Sequence, residues 1–122
     1  MHDVKEVARL KATQVQSPVY TDEGTVGGTI PMHMKLVFND DTGQGSYTAT
    51  ASGGTIRGTV VVTSDTQGVA KGIAIYSLVG YGTVNGGTGI YRHSANPHMT
   101  MVAEIVTTES RFNMTLSGAL LY

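Results

Sequence analysis

The chain has no cysteine and no tryptophan, only three prolines, and only 14% charged residues. Without cysteine there can be no disulfide, zinc–thiolate site, iron–sulfur cluster or thiol nucleophile. Charge of one sign is also missing. Eight Lys plus Arg stand against nine Asp plus Glu, a formal net charge of -1, so the basic excess that draws proteins to phosphate backbones is absent and no nucleic-acid partner is expected. Long apolar runs are lacking too: Val60-Val61-Val62 and Ala119-Leu120-Leu121 are the longest aliphatic stretches, far short of the roughly 20 residues of a membrane helix. No membrane span is expected. The charged start, Met1-His2-Asp3-Val4-Lys5-Glu6-Val7, is not a signal peptide, which suggests a cytoplasmic protein or a mature secreted form.

What remains is a chain of 122 residues, 40% hydrophobic, with sixteen glycines. That length fits a single domain over 1–122 with one core. Thr and Val are spread throughout while the strong helix formers are scarce, which favours an all-β fold. Alternating or β-branched runs predict about seven strands, at Val4–Val15, Ile30–Phe38, Gly45–Ala51, Thr55–Thr63, Val69–Val79, His98–Thr107 and Arg111–Leu121. Tyr81–Val84 could add an eighth. Turn chemistry falls between them at Asn39–Gly43, Ser52–Gly54, Ser64–Gly68, Asn85–Gly87 and Thr108–Ser110. Gln16–Gly28, with Pro18, Asp22, Glu23 and several glycines, reads as a long loop over one end of the sheet. Hairpins without helical connectors leave two ways to remove sheet edges, a closed barrel or a two-sheet sandwich. In a barrel, Val4–Val15 should lie beside Arg111–Leu121.

Strand phase suggests what fills the interior. Met32, Met34, Leu36 and Phe38 share one phase, as do Met99 and Met101, and Phe112 and Met114. Such a methionine-rich face suits ordinary core packing or a soft lining for an irregular ligand. Tyr47 and Tyr76 could offer a hydroxyl at its wall. Arg57 and Glu104 sit mid-strand. If their phase faces inward they could meet as charge partner and acid/base, and if it faces outward they are exposed surface charges. The outward phases carry Val37, Val61 and Leu121, which suggests a homo-oligomer.

Other patterns yield no site. His93 and His98 are five residues apart across a proline, and no histidine spacing makes a metal site. Gly80-Tyr81-Gly82 and Gly86-Gly87-Thr88-Gly89 lack a P-loop lysine and a following helix, so hairpin glycines explain them better than phosphate binding. Asn113-Met114-Thr115 falls inside a predicted strand, and Asp40-Asp41 lacks the remaining ligands of a calcium loop. No cofactor or metal is expected.

The segment Gly86-Gly87-Thr88-Gly89-Ile90-Tyr91-Arg92, followed by a long alternating strand and a final hairpin, resembles the GGTG-x-[FY] signature of dirigent proteins, within the wider allene oxide cyclase-like β-barrels. The resemblance covers roughly Thr55 to Tyr122. It implies an eight-stranded antiparallel closed barrel with an apolar cavity, often oligomeric, that guides cyclisation or coupling of hydrophobic intermediates without a cofactor.

The resulting expectation is a cofactor-independent cyclase or isomerase acting on a polyketide-like, lipid or phenolic intermediate. A non-catalytic barrel that binds a lipophilic small molecule, or a purely structural module, remains open. The expected catalytic set is Glu104, Arg57 and Tyr76. The expected lining is Met32, Met34, Leu36, Phe38, Tyr47, Met99, Met101, Phe112 and Met114.

Overall fold

Eight antiparallel strands follow one another around a closed barrel in the computed structural model, which describes residues 2–70, 73–106 and 110–122. They are β1 (His2–Gln16), β2 (Val19–Gly28), β3 (Met32–Asn39), β4 (Gln44–Ala51), β5 (Gly54–Ala70), β6 (Ile73–Gly87), β7 (Asn96–Val106) and β8 (Arg111–Leu120). Each strand pairs with its neighbours in sequence, and β1 pairs with β8 from His2↔Leu120 to Lys11↔Arg111, so the sheet has no free edge. A 3-10 turn, Gly89–Tyr91, interrupts the β6–β7 connection.

The alternation that predicts the strands also sets their faces. Met34, Leu36 and Phe38 are buried on β3 while His33, Lys35 and Val37 are exposed. Met99, Met101 and Ala103 on β7 and Phe112, Met114 and Leu116 on β8 point into the same core. Leu10, Met34, Leu36, Val60, Met101 and Met114 are the largest fully enclosed side chains, and they fill the middle of the barrel.

Three expectations need correction. Gln16–Gly28 is not a loop: Val19–Gly28 forms β2, paired with β1 and β3, and supplies the eighth strand. Its inward phase, Tyr20, Asp22, Gly24 and Val26, is too mixed to show as alternation. Ser64–Gly68 is not a turn either. β5 runs through it to Ala70, paired with β6, because a bulge at Thr63 absorbs one residue and lets the hairpin extend. These residues read as polar because the extension is exposed. Likewise Tyr81–Val84 and Asn85–Gly87 continue β6, with Asn85 as the extra residue of a bulge between Val84 and Gly86. The expected Thr108–Ser110 turn falls partly on Thr108 and Glu109, which lie outside the described residues.

The glycine-rich corner is a packing device. A Cβ on Gly87 would lie 1.9 Å from the Thr55 carbonyl oxygen, and Gly89 has φ +62. Both therefore let the corner lie against the β4–β5 turn. Ile90 N–H donates to the Gly53 carbonyl at 3.0 Å, and the Thr55 and Thr88 hydroxyls are 2.8 Å apart. Nearby, Tyr91, Ile30 and Val84 are buried, and Tyr122 stacks on His2 with ring centroids 3.9 Å apart. This end of the barrel is plugged.

Candidate functional site

The opposite end holds a cavity of about 540 Å³, within the roughly 300–1,000 Å³ typical of small-molecule sites. Seven of the eight strands contribute at least one side chain to it. Ala12 and Val15 come from β1, Tyr20 and Asp22 from β2, Phe38 from β3, Val62 and Asp65 from β5, Tyr76 and Leu78 from β6, Ile105 from β7 and Phe112 from β8. Asp40, Gly43, Ser110 and Arg111 line it near the turns. Phe38 and Phe112 pack at 5.6 Å with their planes 55° apart. Both phenylalanines of the chain and two of its six tyrosines line this one cavity.

Bulges aim several of these side chains. The register shift between Ala12 and Gln14 keeps both Ala12, opposite Asp22, and Val15, opposite Tyr20, on the lumen side. The bulge at Thr63 does the same for β5, so that Val62 and Asp65, opposite Gly80 and Leu78, both line the cavity.

Asp22 is the most unusual group in the lining. It is 5% exposed, no hydrogen bond or ion pair joins its side chain to another described residue, and its carboxylate oxygens are not among the fully enclosed unpartnered atoms, so they open on the cavity. Burial pushes its pKa up from 3.8 to about 6 because the charged form loses hydration without gaining a partner. A carboxylate in that range exchanges its proton readily near neutral pH.

A second buried carboxylate belongs to the plugged end. Glu6, 6% exposed, accepts the Ile30 N–H at Oε1 over 2.6 Å, while its Oε2 is buried without a partner among the described residues. Desolvation raises its pKa to about 7 against the lowering effect of the Ile30 bond. That bond, with Thr29 N–H to the Lys5 carbonyl at 3.2 Å and Lys5 N–H to Thr29 Oγ1 at 3.1 Å, fastens the β2–β3 connection to β1. Glu6 is not among the residues that line this cavity, and its hydrogen bond holds the plug.

The expected site residues separate into three groups. Phe38, Phe112 and Tyr76 line the cavity. Met34, Leu36, Met99, Met101 and Met114 are packed in the core, and Met32 packs partly buried against it. Tyr47 is also in the core. Its hydroxyl donates to the Thr83 carbonyl at 2.8 Å, its ring lies over Gly58, and burial holds its pKa well above the usual tyrosine range. The third group is Arg57 and Glu104, both exposed on the outer face. Arg57 pairs laterally with Thr48 and Gly86, and Glu104 with Ser77 and Asn113, so β6 separates them. The lumenal acid/base pair is therefore not formed, because the neighbours Ile56, Ala103 and Ile105 take the inward positions.

Sequence reasoning missed Asp22, Tyr20, Asp65 and Leu78. The Tyr20, Asp22, Gly24, Val26 phase was the available signal, masked by charge on the other phase at Glu23.

Among the described residues, no group of three or more His, Cys, Asp or Glu side chains could hold a metal ion, and no helix is long and apolar enough to cross a membrane. The fold and site together define a closed antiparallel β-barrel, plugged at one end and hollow at the other. Comparison of the chain with family models, curated proteins and solved structures yields no match.

Proposed function

We propose that the protein binds a lipophilic small molecule in the cavity at the open end of the barrel. The observation that carries this reading is the change along the barrel axis from close-packed methionines and leucines to a space of about 540 Å³ walled by Phe38, Phe112, Leu78, Ile105 and Tyr76. Side chains of ordinary size could fill that space, as they do in the packed core, and filling it would stabilise the fold. A titration with the neutral dye Nile red tests the reading. Wild type should bind it with enhanced fluorescence, and Leu78→Trp, which fills the floor of the cavity, should remain folded and lose that response. Equal binding by both proteins would overturn the assignment.

One observation favours a second reading, that the bound molecule is also transformed by a cofactor-independent cyclase or isomerase. Asp22 is a buried carboxylate with a near-neutral pKa in a wall of mixed aromatic, aliphatic and charged side chains, and a mere container has no need of one. Likeness of the Gly86–Arg92 corner to the dirigent and allene oxide cyclase-like barrels points the same way, as fold-level analogy. On this reading Asp22→Asn loses turnover while a neutral ligand such as Nile red still binds. Loss of neither would leave a binding barrel.

The chain is also proposed to form a homo-oligomer, a dimer or trimer. Val79 and Val102 are register partners on the outer face, 50% and 53% exposed, and Val37 and Leu121 are exposed elsewhere, while Val61 is half-buried. Paired apolar side chains on a sheet without edges are suited to burial against another copy. Light scattering should give a multiple of 12.8 kDa, and Val102→Lys should reduce it. A monomer mass for wild type at micromolar concentration would refute this.

A further inference from the structure

The cavity carries charge of largely one sign. Asp22 lies in its wall, and Asp40 and Asp65 line its exposed rim, with Arg111 the single cation among the described lining residues. Asp22 is the informative one, being nine-tenths buried and without a protein partner among the described residues. An ionised carboxylate in such a place is costly unless something else compensates it. The same cavity is lined by Phe38, Phe112, Tyr20 and Tyr76, rings whose faces attract cations.

We infer that the cavity selects lipophilic ammonium ligands, whose charged nitrogen donates to the Asp22 carboxylate while the aromatic walls enclose the hydrocarbon. This rests on the reading of the cavity as a ligand site. The competing ligand classes fit less well. A carboxylate or phosphate would bring negative charge against three aspartates. A neutral lipophile would exclude water and leave Asp22 still less compensated than in the empty cavity. A metal ion would need gathered ligands, and the aspartates form no such cluster. An organic cation satisfies both features of the site, the unpartnered buried carboxylate and the aromatic walls.

The proposal implies a pH dependence whose sign is fixed. The charged and titratable groups that share the cavity lining with Asp22 are Asp40, Asp65, Tyr20, Tyr76 and Arg111. Only the ionised carboxylate attracts the cation, so affinity should fall as pH drops through about 6, where Asp22 takes up its proton.

Three matched probes test the inference by calorimetry and thermal shift at neutral pH: naphthylethylamine, naphthylethanol and naphthylacetate. Wild type should bind the amine roughly tenfold or more tightly than the alcohol and reject the acid. Asp22→Asn should bring the amine to the level of the alcohol and leave alcohol affinity unchanged. Should that variant fail to fold, the decline of amine preference in wild type on acidification, with alcohol binding constant, reads the same interaction. Alcohol or acid binding as tightly as the amine would overturn the ammonium class while leaving the ligand cavity intact. An amine preference that survives in Asp22→Asn would overturn the role of Asp22 and move it to the rim, where Asp65→Asn would abolish it. Binding of none of the three would overturn both this inference and the proposed function.

Discussion

The two ends of this barrel share strands, sheet and alternation, yet one is solid and the other hollow. Below the cavity, Met34, Leu36, Val60, Met101 and Met114 are fully enclosed in one core, and at the plugged end the Gly86–Gly89 corner and the Ile30 and Tyr91 side chains close the mouth. Toward the open end the inward positions are Ala12, Tyr20, Asp22, Val62 and Tyr76, a mixture of small, polar and edge-anchored side chains that does not meet in the middle. Closing a sheet fixes the diameter of the barrel, so it is side-chain volume, layer by layer, that decides whether a given level becomes core or cavity. Carboxylates mark both halves and do different work there. Glu6 is tied to the Ile30 N–H, whereas Asp22 lines the cavity without a partner among the described residues.

The sharpest way to test this contrast is to remove volume on each side. Leu36→Ala or Met101→Ala in the solid half should cost about 2–5 kcal/mol of unfolding free energy, since fully enclosed side chains leave a void behind them. Val62→Ala at the cavity wall should cost about 1 kcal/mol, because the space it vacates already exists. Urea denaturation of the variants checks the difference, and equal losses would erase the distinction between the halves.

Titration offers a second test. Glu6 and Asp22 both bind protons more tightly in the folded chain, with pKa values of about 7 and about 6 against ordinary values of 4.5 and 3.8. The stability contributed by this tighter proton binding is complete below the ordinary values and is lost as pH rises through the folded ones. The barrel should therefore be more stable near pH 5 than near pH 8, by about 2 kcal/mol from Glu6 and about 1 kcal/mol from Asp22. Glu6→Gln and Asp22→Asn should each remove part of that slope in melting experiments across pH. Ligand should flatten the Asp22 part alone, which separates a carboxylate that awaits a partner from one that has a bond already.

Adding volume should be asymmetric too. Met34→Trp forces a larger ring into a filled layer and should destabilise by about 1–3 kcal/mol or more. Leu78→Trp has the cavity to expand into and should lose less, with thermal melts of the two variants making the comparison. The smallest effect expected is that of Tyr47→Phe, which removes the hydrogen bond to the Thr83 carbonyl and should cost about 1 kcal/mol by urea denaturation.

Much of the solid half is legible in the amino-acid sequence. On β3 the run Met32, Met34, Leu36, Phe38 against His33, Lys35, Val37 leaves one possible inside, and the same holds for β7 and β8. Glu104, flanked by Ala103 and Ile105, and Arg57, beside Ile56, are expected in the catalytic set if their phase faces inward, and the structure puts both on the outer face. The hollow half is much less legible for a physical reason. A cavity wall lacks the unbroken apolar phase that a packed core demands, so β2, with Tyr20, Asp22 and Gly24 inward, carries the composition of a loop. Bulges at Thr63 and Asn85 then shift the phase of β5 and β6, and no alternation rule anticipates an extra residue. The strand that holds the candidate binding group is thus the one its sequence disguises best.

Methyl chemical shifts, followed as naphthylethanol is added, test the central claim most directly. The account predicts that the methyl signals of Leu78, Ile105, Val62 and Ala12 move with ligand while those of Met34, Met101 and Met114 stay in place. Movement of the methionine signals with Leu78 and Ile105 unchanged, or no movement at any of these methyls, would contradict it.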